Sequence, residues 1–324
     1  MGLLQRIFGR KNKALSSLVK KESKSDISYS GSFVEIRSLS YFGQYRKSPS
    51  EEWLLSWSDS DRKNLRGGYR ESGHGSYILY NLFQNKLVAK GELERPNNGY
   101  VADNGYFSLE DWQFGGGLKG TFLVFSLSQE KLIKKHFSAN IYNSGLSDNA
   151  KIAVCQTANA QNSDGSLFCA FDMMNQKELF SIHPPTGWAN SYEFEEENFH
   201  VVAVLNGIGK FRYDRNGNFI DAEAYEAARL TSERYDVILS AVGNAFKGDL
   251  THKEIQAILL SISKAKLLGA TKDRNWKAMA MRYEGMAYEK MGDIQRALAA
   301  YREALEANPK IGLKRKVSEL QKKI

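Results

Sequence analysis

Short apolar runs alternate with polar turns through the first two thirds of the chain. Octets of two apolar runs around a polar turn recur as YNLFQNKL (80–87), FSLSQEKL (125–132) and YDRNGNFI (213–220), with a nine-residue version, FDMMNQKEL, at 171–179. Asn216-Gly217 is a favoured pair for a tight hairpin turn. We therefore predict that each octet is the turn between two strands.

The octets are regularly spaced. Their first residues, Tyr80, Phe125, Phe171 and Tyr213, lie 45, 46 and 42 positions apart, a period that indicates a repeated supersecondary unit. Further strand candidates lie upstream of the octets, at 51–57, 100–103, 151–156 and 200–205. Turn-forming stretches precede them at 48–50, 96–99, 147–149 and 195–198.

The turn and strand SPSEEWLLSW (48–57), followed by hairpins such as SLFCAFDMMNQKELF (166–180), resembles the blades of WD40-like β-propellers. The Gly-His and Trp-Asp dipeptides of WD40 blades are missing at the expected places. The resemblance covers residues 27–220 and implies about four blades, with five blades or an open propeller as alternatives. Because stacked sheets cover one another, function would fall to the loops.

Two long loops are predicted, at 58–75 and 104–120. The second carries several aromatic residues among glycines: Tyr106, Phe107, Trp112 and Phe114. Two interpretations remain open. Either Trp112 and Phe114 belong to a partner-binding patch at a blade edge, or the aromatic rings fold back over the sheet.

The apolar period changes from two to about 3.6 after Ile220, and Asp221 is a suitable N-cap for the helix that follows. Residues 235–242 and 255–262 then predict two helices, the second starting with a capping box of Thr251 and Glu254. Both belong to a pair at 222–268 that we interpret as a degenerate helical repeat.

The segment MRYEGMAYEKMGDIQRALAAYREALEANPK (281–310) resembles a tetratricopeptide repeat. The matching residues are Gly285, Tyr288, Ala297, Tyr301, Ala304 and Pro309. Glu284 departs from the usual leucine. The resemblance implies close packing of two helices and a peptide-binding concave surface formed here by Arg282, Met286, Glu289 and Lys290. A structural or dimerising role is the alternative. Leu313, Val317, Leu320 and Ile324 predict a helix that closes the array.

The predicted fold class is therefore multidomain β plus α. A basic tail (1–26) precedes a β-propeller-like all-β domain (27–220) and a tetratricopeptide-like α-helical domain (221–324). Residues 1–21 contain apolar and basic residues with amphipathic spacing. Two interpretations remain open for them: a solvated tail, or a helix that contacts a membrane surface or a partner.

The formal charge of +8 resides at the ends of the chain. Residues 1–24 hold seven Lys/Arg and one Glu, residues 310–324 hold six and one, and the residues between sum to −3. We therefore expect no nucleic-acid partner. Cys155 and Cys169 are the two cysteines, without metal-ligand spacing. No apolar run long enough to span a bilayer occurs, so we expect a cytoplasmic protein, with peripheral membrane contact through residues 1–21 as the open alternative.

No common catalytic motif is present, and the five histidines are scattered. The stretch DRNGNFID (214–221) has its glycine in the wrong place for a calcium loop, so a hairpin turn explains it better. We expect no enzyme activity, cofactor or metal. The leading hypothesis is an adaptor that binds protein partners, with self-association open. The alternatives are a propeller hydrolase with a site at the central mouth, and an adaptor attached to a membrane surface.

Overall fold

The computed structural model describes residues 25–61 and 67–322 of the 324-residue chain. Strands occupy the first part of these residues and helices the second. This order confirms the predicted multidomain β plus α fold class. The predictions for residues 1–21, and for Ile324 in the closing helix, lie outside the described residues.

Four antiparallel sheets form the β part, and within each sheet the neighbouring strands follow one another along the chain. Sheet 1 contains β1 (Ile27–Ser30), β2 (Phe33–Ile36), β3 (Tyr41–Lys47), β4 (Trp53–Ser58), β5 (Gly75–Asn81) and β6 (Lys86–Leu93). Sheet 2 contains β7 (Pro96–Val101), β8 (Phe107–Asp111), β9 (Gly120–Phe125) and β10 (Lys131–Phe137). Sheet 3 contains β11 (Ile141–Leu146), β12 (Ile152–Thr157), β13 (Phe168–Asp172) and β14 (Lys177–Ile182). Sheet 4 contains β15 (Ser191–Glu195), β16 (His200–Leu205) and β17 (Gly209–Tyr213).

Three of the octets are the turns between two strands that the sequence predicts, and the fourth (213–220) follows β17 and is closed only by an isolated bridge between Tyr213 and Phe219. In sheet 3, for example, Asp172 pairs with Lys177 across the turn, and the Asp172 carboxylate accepts a hydrogen bond from the backbone N–H of Asn175. In sheet 4 the Asp214 carboxylate accepts from the N–H groups of Asn216 and Asn218, both at 2.8 Å. Side chains of this kind favour turns because they replace a backbone acceptor. The interpretation of 214–221 as a hairpin turn, and not a calcium loop, is confirmed.

Sheet 2 departs from the sequence prediction at two places, since β7 begins earlier than the predicted strand at 100–103 and β8 lies within a predicted loop. Residues 96–99, expected to turn, belong to β7, and residues 107–111, expected within a long loop, form β8. Gly99 allows the tight pairing of these strands, since a Cβ there would lie 2.6 Å from the carbonyl oxygen of Ser108. The sequence around β8 favours a loop because Asn104-Gly105 precedes the strand and a glycine-rich stretch follows it.

The sheets stack face to face in chain order, and apolar clusters fill each interface. The cluster between sheets 1 and 2 includes Leu55, Leu79, Phe107 and Leu109. The cluster between sheets 2 and 3 includes Phe122, Val124, Ala153 and Phe171, and the one between sheets 3 and 4 includes Val154, Phe168, Val201 and Ala203. Such stacking resembles a propeller. Within the described residues no apolar cluster joins sheet 4 to sheet 1, so the stack of four sheets is open. The WD40 subtype stays a prediction.

The first and last sheets each pack against further apolar side chains. In sheet 1, Val34 and Ile36 of β2 lie in one cluster with Leu54 and Ile78, on the face of β4 and β5 that points away from sheet 2. At sheet 4, Tyr225 of a helix is buried against Phe211, on the face of β17 that also packs against sheet 3. Both contacts remove apolar surface from water.

Turns at one end of the stack are hydrogen-bonded from sheet to sheet. The Asp103 carboxylate accepts from the N–H of Ser50 at 2.8 Å, and the Asp103 N–H donates to the Asp148 carbonyl at 2.8 Å. The Glu196 carboxylate accepts from the backbone and side-chain N–H groups of Asn149. Ser50 lies in the turn between β3 and β4 of sheet 1, and the other residues lie in the turns between the first and second strands of sheets 2 to 4. The turns therefore hold the sheets in register as well as reversing the chain.

The helices that follow are α1 (Ala222–Leu230), α2 (Tyr235–Ala245), α3 (His252–Leu267), α4 (Arg274–Lys290), α5 (Ile294–Ala307) and α6 (Lys314–Gln321). The predicted capping box of Thr251 and Glu254 is present at the start of α3. Asp221 precedes α1, but its side chain does not cap it. The carboxylate instead binds the guanidinium of Arg212 at 2.7 Å and 3.0 Å, and so fastens α1 to β17.

Candidate interaction surfaces

Helices α4 and α5 pack unusually closely because Gly285 lies at their contact. A Cβ at Gly285 would lie 2.5 Å from two ring carbons of Tyr301. The Tyr301 hydroxyl donates to the carboxylate of Glu289 at 2.9 Å, across the two helices. Burial raises the pKa of Tyr301, and the hydrogen bond to Glu289 raises it further. The close approach expected from the tetratricopeptide resemblance is confirmed.

Helices α2, α4 and α6 lie side by side on one side of this array. Tyr283 of α4 stacks on Phe246 at the end of α2, with ring centroids 6.1 Å apart. Glu289 of α4 pairs with Lys316 of α6 at 2.6 Å. Leu313 and Leu320 of the closing segment are buried, as predicted. We call the side formed by α2, α4 and α6 the inner row.

The four residues predicted to bind a partner on α4 divide into two pairs. Met286 packs against the cluster formed with α5 and α6, and Glu289 is engaged by Tyr301 and Lys316. Arg282 is half-buried and Lys290 is exposed. At 100° per residue, Arg282 and Lys290 lie between the face that meets α2 and the face that meets α6. Neither forms an ion pair with another described residue.

Residues 278–311 match a tetratricopeptide repeat family model. The matched range covers most of α4 and all of α5. No curated protein matches the chain. Tetratricopeptide repeats are in general protein-interaction modules, and their repeats stack to form the binding surface. The family-model match and the close contact of α4 with α5 at Gly285 therefore identify the same helical hairpin as the repeat.

The two long loops predicted in the β part contact each other. The N–H of Gly115 donates to the carbonyl of Arg70 at 3.4 Å, and the rings of His74 and Phe114 meet edge to face at 5.4 Å. The Arg70 guanidinium is buried beneath them and pairs with Asp59 at 2.8 Å. Charge and hydrogen bonding therefore hold this pair of loops at one edge of sheets 1 and 2.

The four aromatic residues predicted for a patch do not form one. Phe107 is fully buried between sheets 1 and 2, and Tyr106 packs against the cluster between sheets 2 and 3. Trp112 is 39% exposed, whereas Phe114 is half-buried against His74. Two of the rings therefore fold back into the core, and partner binding by Trp112 and Phe114 stays a prediction.

A cavity of about 480 Å³ lies on the first strands of sheets 2 to 4, where the hydrolase hypothesis expects a site. It is lined by Tyr100, Leu146, Asp148, Asn149, Tyr192, Glu193, Phe194 and Glu196. Burial raises the pKa of Asp148, with the carboxylates of Asp103 and Glu196 adding to the effect. Both oxygens of Glu196 are bound by Asn149, and Glu193 pairs with Lys210. Of these acids, only Asp148 lacks a side-chain partner among the described residues.

Two further tests concern metals and membranes. In the part of the chain that the structure describes, no group of three or more His, Cys, Asp or Glu side chains is placed to hold a metal ion. Within residues 25–61 and 67–322, no helix combines the length and apolar character that crossing a bilayer demands.

Sequence reasoning missed Lys316 and His74 as members of these surfaces. Lys316 reaches the inner row from α6, which is separated from α4 by the whole of α5. His74 meets Phe114 across two different sheets. The excess of lysine near the chain end was the available signal for Lys316. Nothing local in the sequence indicates the position of His74.

Proposed function

We propose that the chain is an adaptor that binds a partner protein on the inner row of its helices. The observation that carries the proposal is the tetratricopeptide repeat at 278–311, whose α4 presents Arg282 and Lys290 between α2 and α6. The proposal assigns no catalytic step and no cofactor to the chain. The stacked sheets serve as a rigid second body with its own loop surface.

The charge of the inner row favours an acidic partner segment. Arg282 and Lys290 are cationic, and Lys316 neutralises Glu289. Residues 310–322 add an excess of Lys/Arg next to the row. A negatively charged segment would be attracted by this field, and its carboxylates could pair with side chains that have no partner within the described chain.

Helix α1 and the loop after it contact the last sheet, so a truncation that removes the helical array must be placed after these contacts. The Ser232 hydroxyl donates to the Gly207 carbonyl at 2.7 Å, and Tyr225 is buried against Phe211 and Phe219. Helix α1 therefore covers sheet 4, and truncation before it would expose that sheet. A truncated chain that ends after Ser232 keeps this cover.

Affinity purification with quantitative mass spectrometry tests the proposal. The double variant Arg282→Glu/Lys290→Glu reverses the charge of the inner row. The matched control, Lys253→Glu/Arg302→Glu, makes the same charge change on exposed positions of α3 and α5. We expect the inner-row variant and the chain ending at Ser232 to lose the same partners, and the control to retain them. Equal retention by both double variants would refute the proposal.

A further inference from the structure

The two cysteines are neighbours on sheet 3, although a whole loop separates them in the sequence. Cys155 on β12 and Cys169 on β13 are direct cross-strand partners. Directly opposed residues in antiparallel strands have Cα atoms about 4.5–5.5 Å apart. A disulfide needs a Cα separation of about 4.4–6.8 Å. The backbone of sheet 3 therefore already holds the two thiols at a distance where they can be bonded.

The surroundings make the two thiols chemically unequal. Both residues are fully buried in the cluster between sheets 2 and 3, and the Ser181 hydroxyl lies 3.3 Å from the Cys169 sulfur. The hydrogen bond from Cys155, helped by Ser181 and by the charge of Lys135, lowers the pKa of Cys169 to about 7 against the effect of burial. Burial raises the pKa of Cys155 well above its ordinary value. One sulfur is thus suited to be a thiolate nucleophile and the other a resolving thiol.

We propose that Cys155 and Cys169 are a redox pair that hydrogen peroxide converts into a cross-strand disulfide within sheet 3. The Cys169 thiolate attacks one peroxide oxygen, the O–O bond breaks, and the departing hydroxide takes up a proton to give water and a sulfenic acid at Cys169. The Cys155 sulfur then attacks the Cys169 sulfur. The S–O bond breaks, and the hydroxide leaves with the Cys155 proton as a second water. Two thiols lose two electrons, and the peroxide gains them.

The bond would fasten β12 to the start of β13 and close the loop that joins the two strands. The adjacent Lys135 and Glu178 already form an ion pair between sheets 2 and 3. The disulfide would therefore add a covalent bond close to this ion pair. A dithiol reductant would reduce the disulfide again. This inference is independent of the proposed binding function.

In the test, the reduced full chain is treated with increasing concentrations of hydrogen peroxide, then denatured and alkylated. Its mass is measured by intact-protein mass spectrometry. We expect both thiols to be lost together, with a mass lower by two hydrogen atoms, and dithiothreitol to restore them. In Cys155→Ser, Cys169 should accumulate a sulfenic acid that dimedone traps. In Cys169→Ser, Cys155 should stay reduced. Ser181→Ala, which keeps both cysteines, should slow the loss severalfold.

Several results would overturn the proposal. Both thiols could remain alkylatable at peroxide doses that oxidise free cysteine, or the disulfide could join two chains. The two serine variants could react equally, or the oxidation rate could equal the global unfolding rate measured by pulse proteolysis. If a serine variant does not fold, the mass and reversal measured on the native chain still decide the matter.

Discussion

Replacing Gly285 with alanine tests whether the contact between α4 and α5 defines the helical array. The new Cβ would lie 2.5 Å from two ring carbons of Tyr301, whereas carbon atoms in contact are normally about 3.5–4.0 Å apart. The ring has little room to move, because it is 1% exposed and its hydroxyl is bound by Glu289. Relief of the contact therefore requires the helices to separate.

Two opposing effects set the change in the free energy of unfolding that Gly285→Ala causes. Alanine is favoured over glycine in a helix by about 1 kcal/mol. Overpacking a filled site costs about 1–3 kcal/mol. We expect Gly285→Ala to lower the free energy of unfolding by about 1 kcal/mol, as measured by urea denaturation followed by far-UV circular dichroism, which reports mainly on helices.

The same substitution in a Tyr301→Leu background is the control. With the ring removed, only the helix preference remains, so alanine at position 285 should raise the free energy of unfolding by about 1 kcal/mol relative to Tyr301→Leu alone. The reasoning is refuted if alanine stabilises the native background, or if its effect has the same sign in both backgrounds.

Three further predictions concern the sheets. Burial acts to raise the pKa of Asp103, but hydrogen bonds from Ser50 hold it below its usual range, so its stabilisation is present above about pH 4 and is lost as the pH falls through the lowered value. Asp103→Asn should abolish this decrease in the free energy of unfolding at acidic pH, as measured by urea denaturation at several pH values. The substitution should also lower the free energy of unfolding by about 1 kcal/mol at neutral pH. An unchanged dependence of stability on pH would contradict the prediction. Burial raises the pKa of Glu110, so the folded state holds its proton more tightly and stability falls as the pH rises above about 4.3. Glu110→Gln keeps an oxygen that can accept hydrogen bonds from Asn98 and Ser144. The variant should therefore lose the decrease in stability at higher pH and be at least as stable as the native chain at neutral pH. A marked decrease in its thermal unfolding temperature would contradict this prediction. Phe107→Ala should cost about 3–5 kcal/mol by opening a cavity between sheets 1 and 2, whereas Phe83→Ala, at a side chain 71% exposed, should change stability by less than about 0.5 kcal/mol. Comparable losses in the two variants, measured by chemical denaturation, would show that the sheet interface is not the main apolar core.

The features that could be predicted from the sequence are those set by a few consecutive residues. The octets turn because Asp, Asn and Ser side chains satisfy nearby backbone groups, and the period change after Ile220 follows from side-chain spacing on a helix. Gly285 and Tyr301 were recognisable because a tetratricopeptide hairpin places them at fixed positions. Strand β8 could not be predicted in this way, because its apolar residues lie between glycine-containing turns that locally favour a loop.

The repeated strand units, the change to helices and the location of the tetratricopeptide repeat follow from local sequence, because propensity and periodicity act over a few neighbouring residues. Long-range packing sets three further features: the open stack of sheets, the contacts of Glu289 with Tyr301 and Lys316, and the pairing of Cys155 with Cys169. These outcomes depend on register and on distances between segments that lie far apart in the chain. Such distances are set by how sheets and helices pack against one another, which no local pattern specifies.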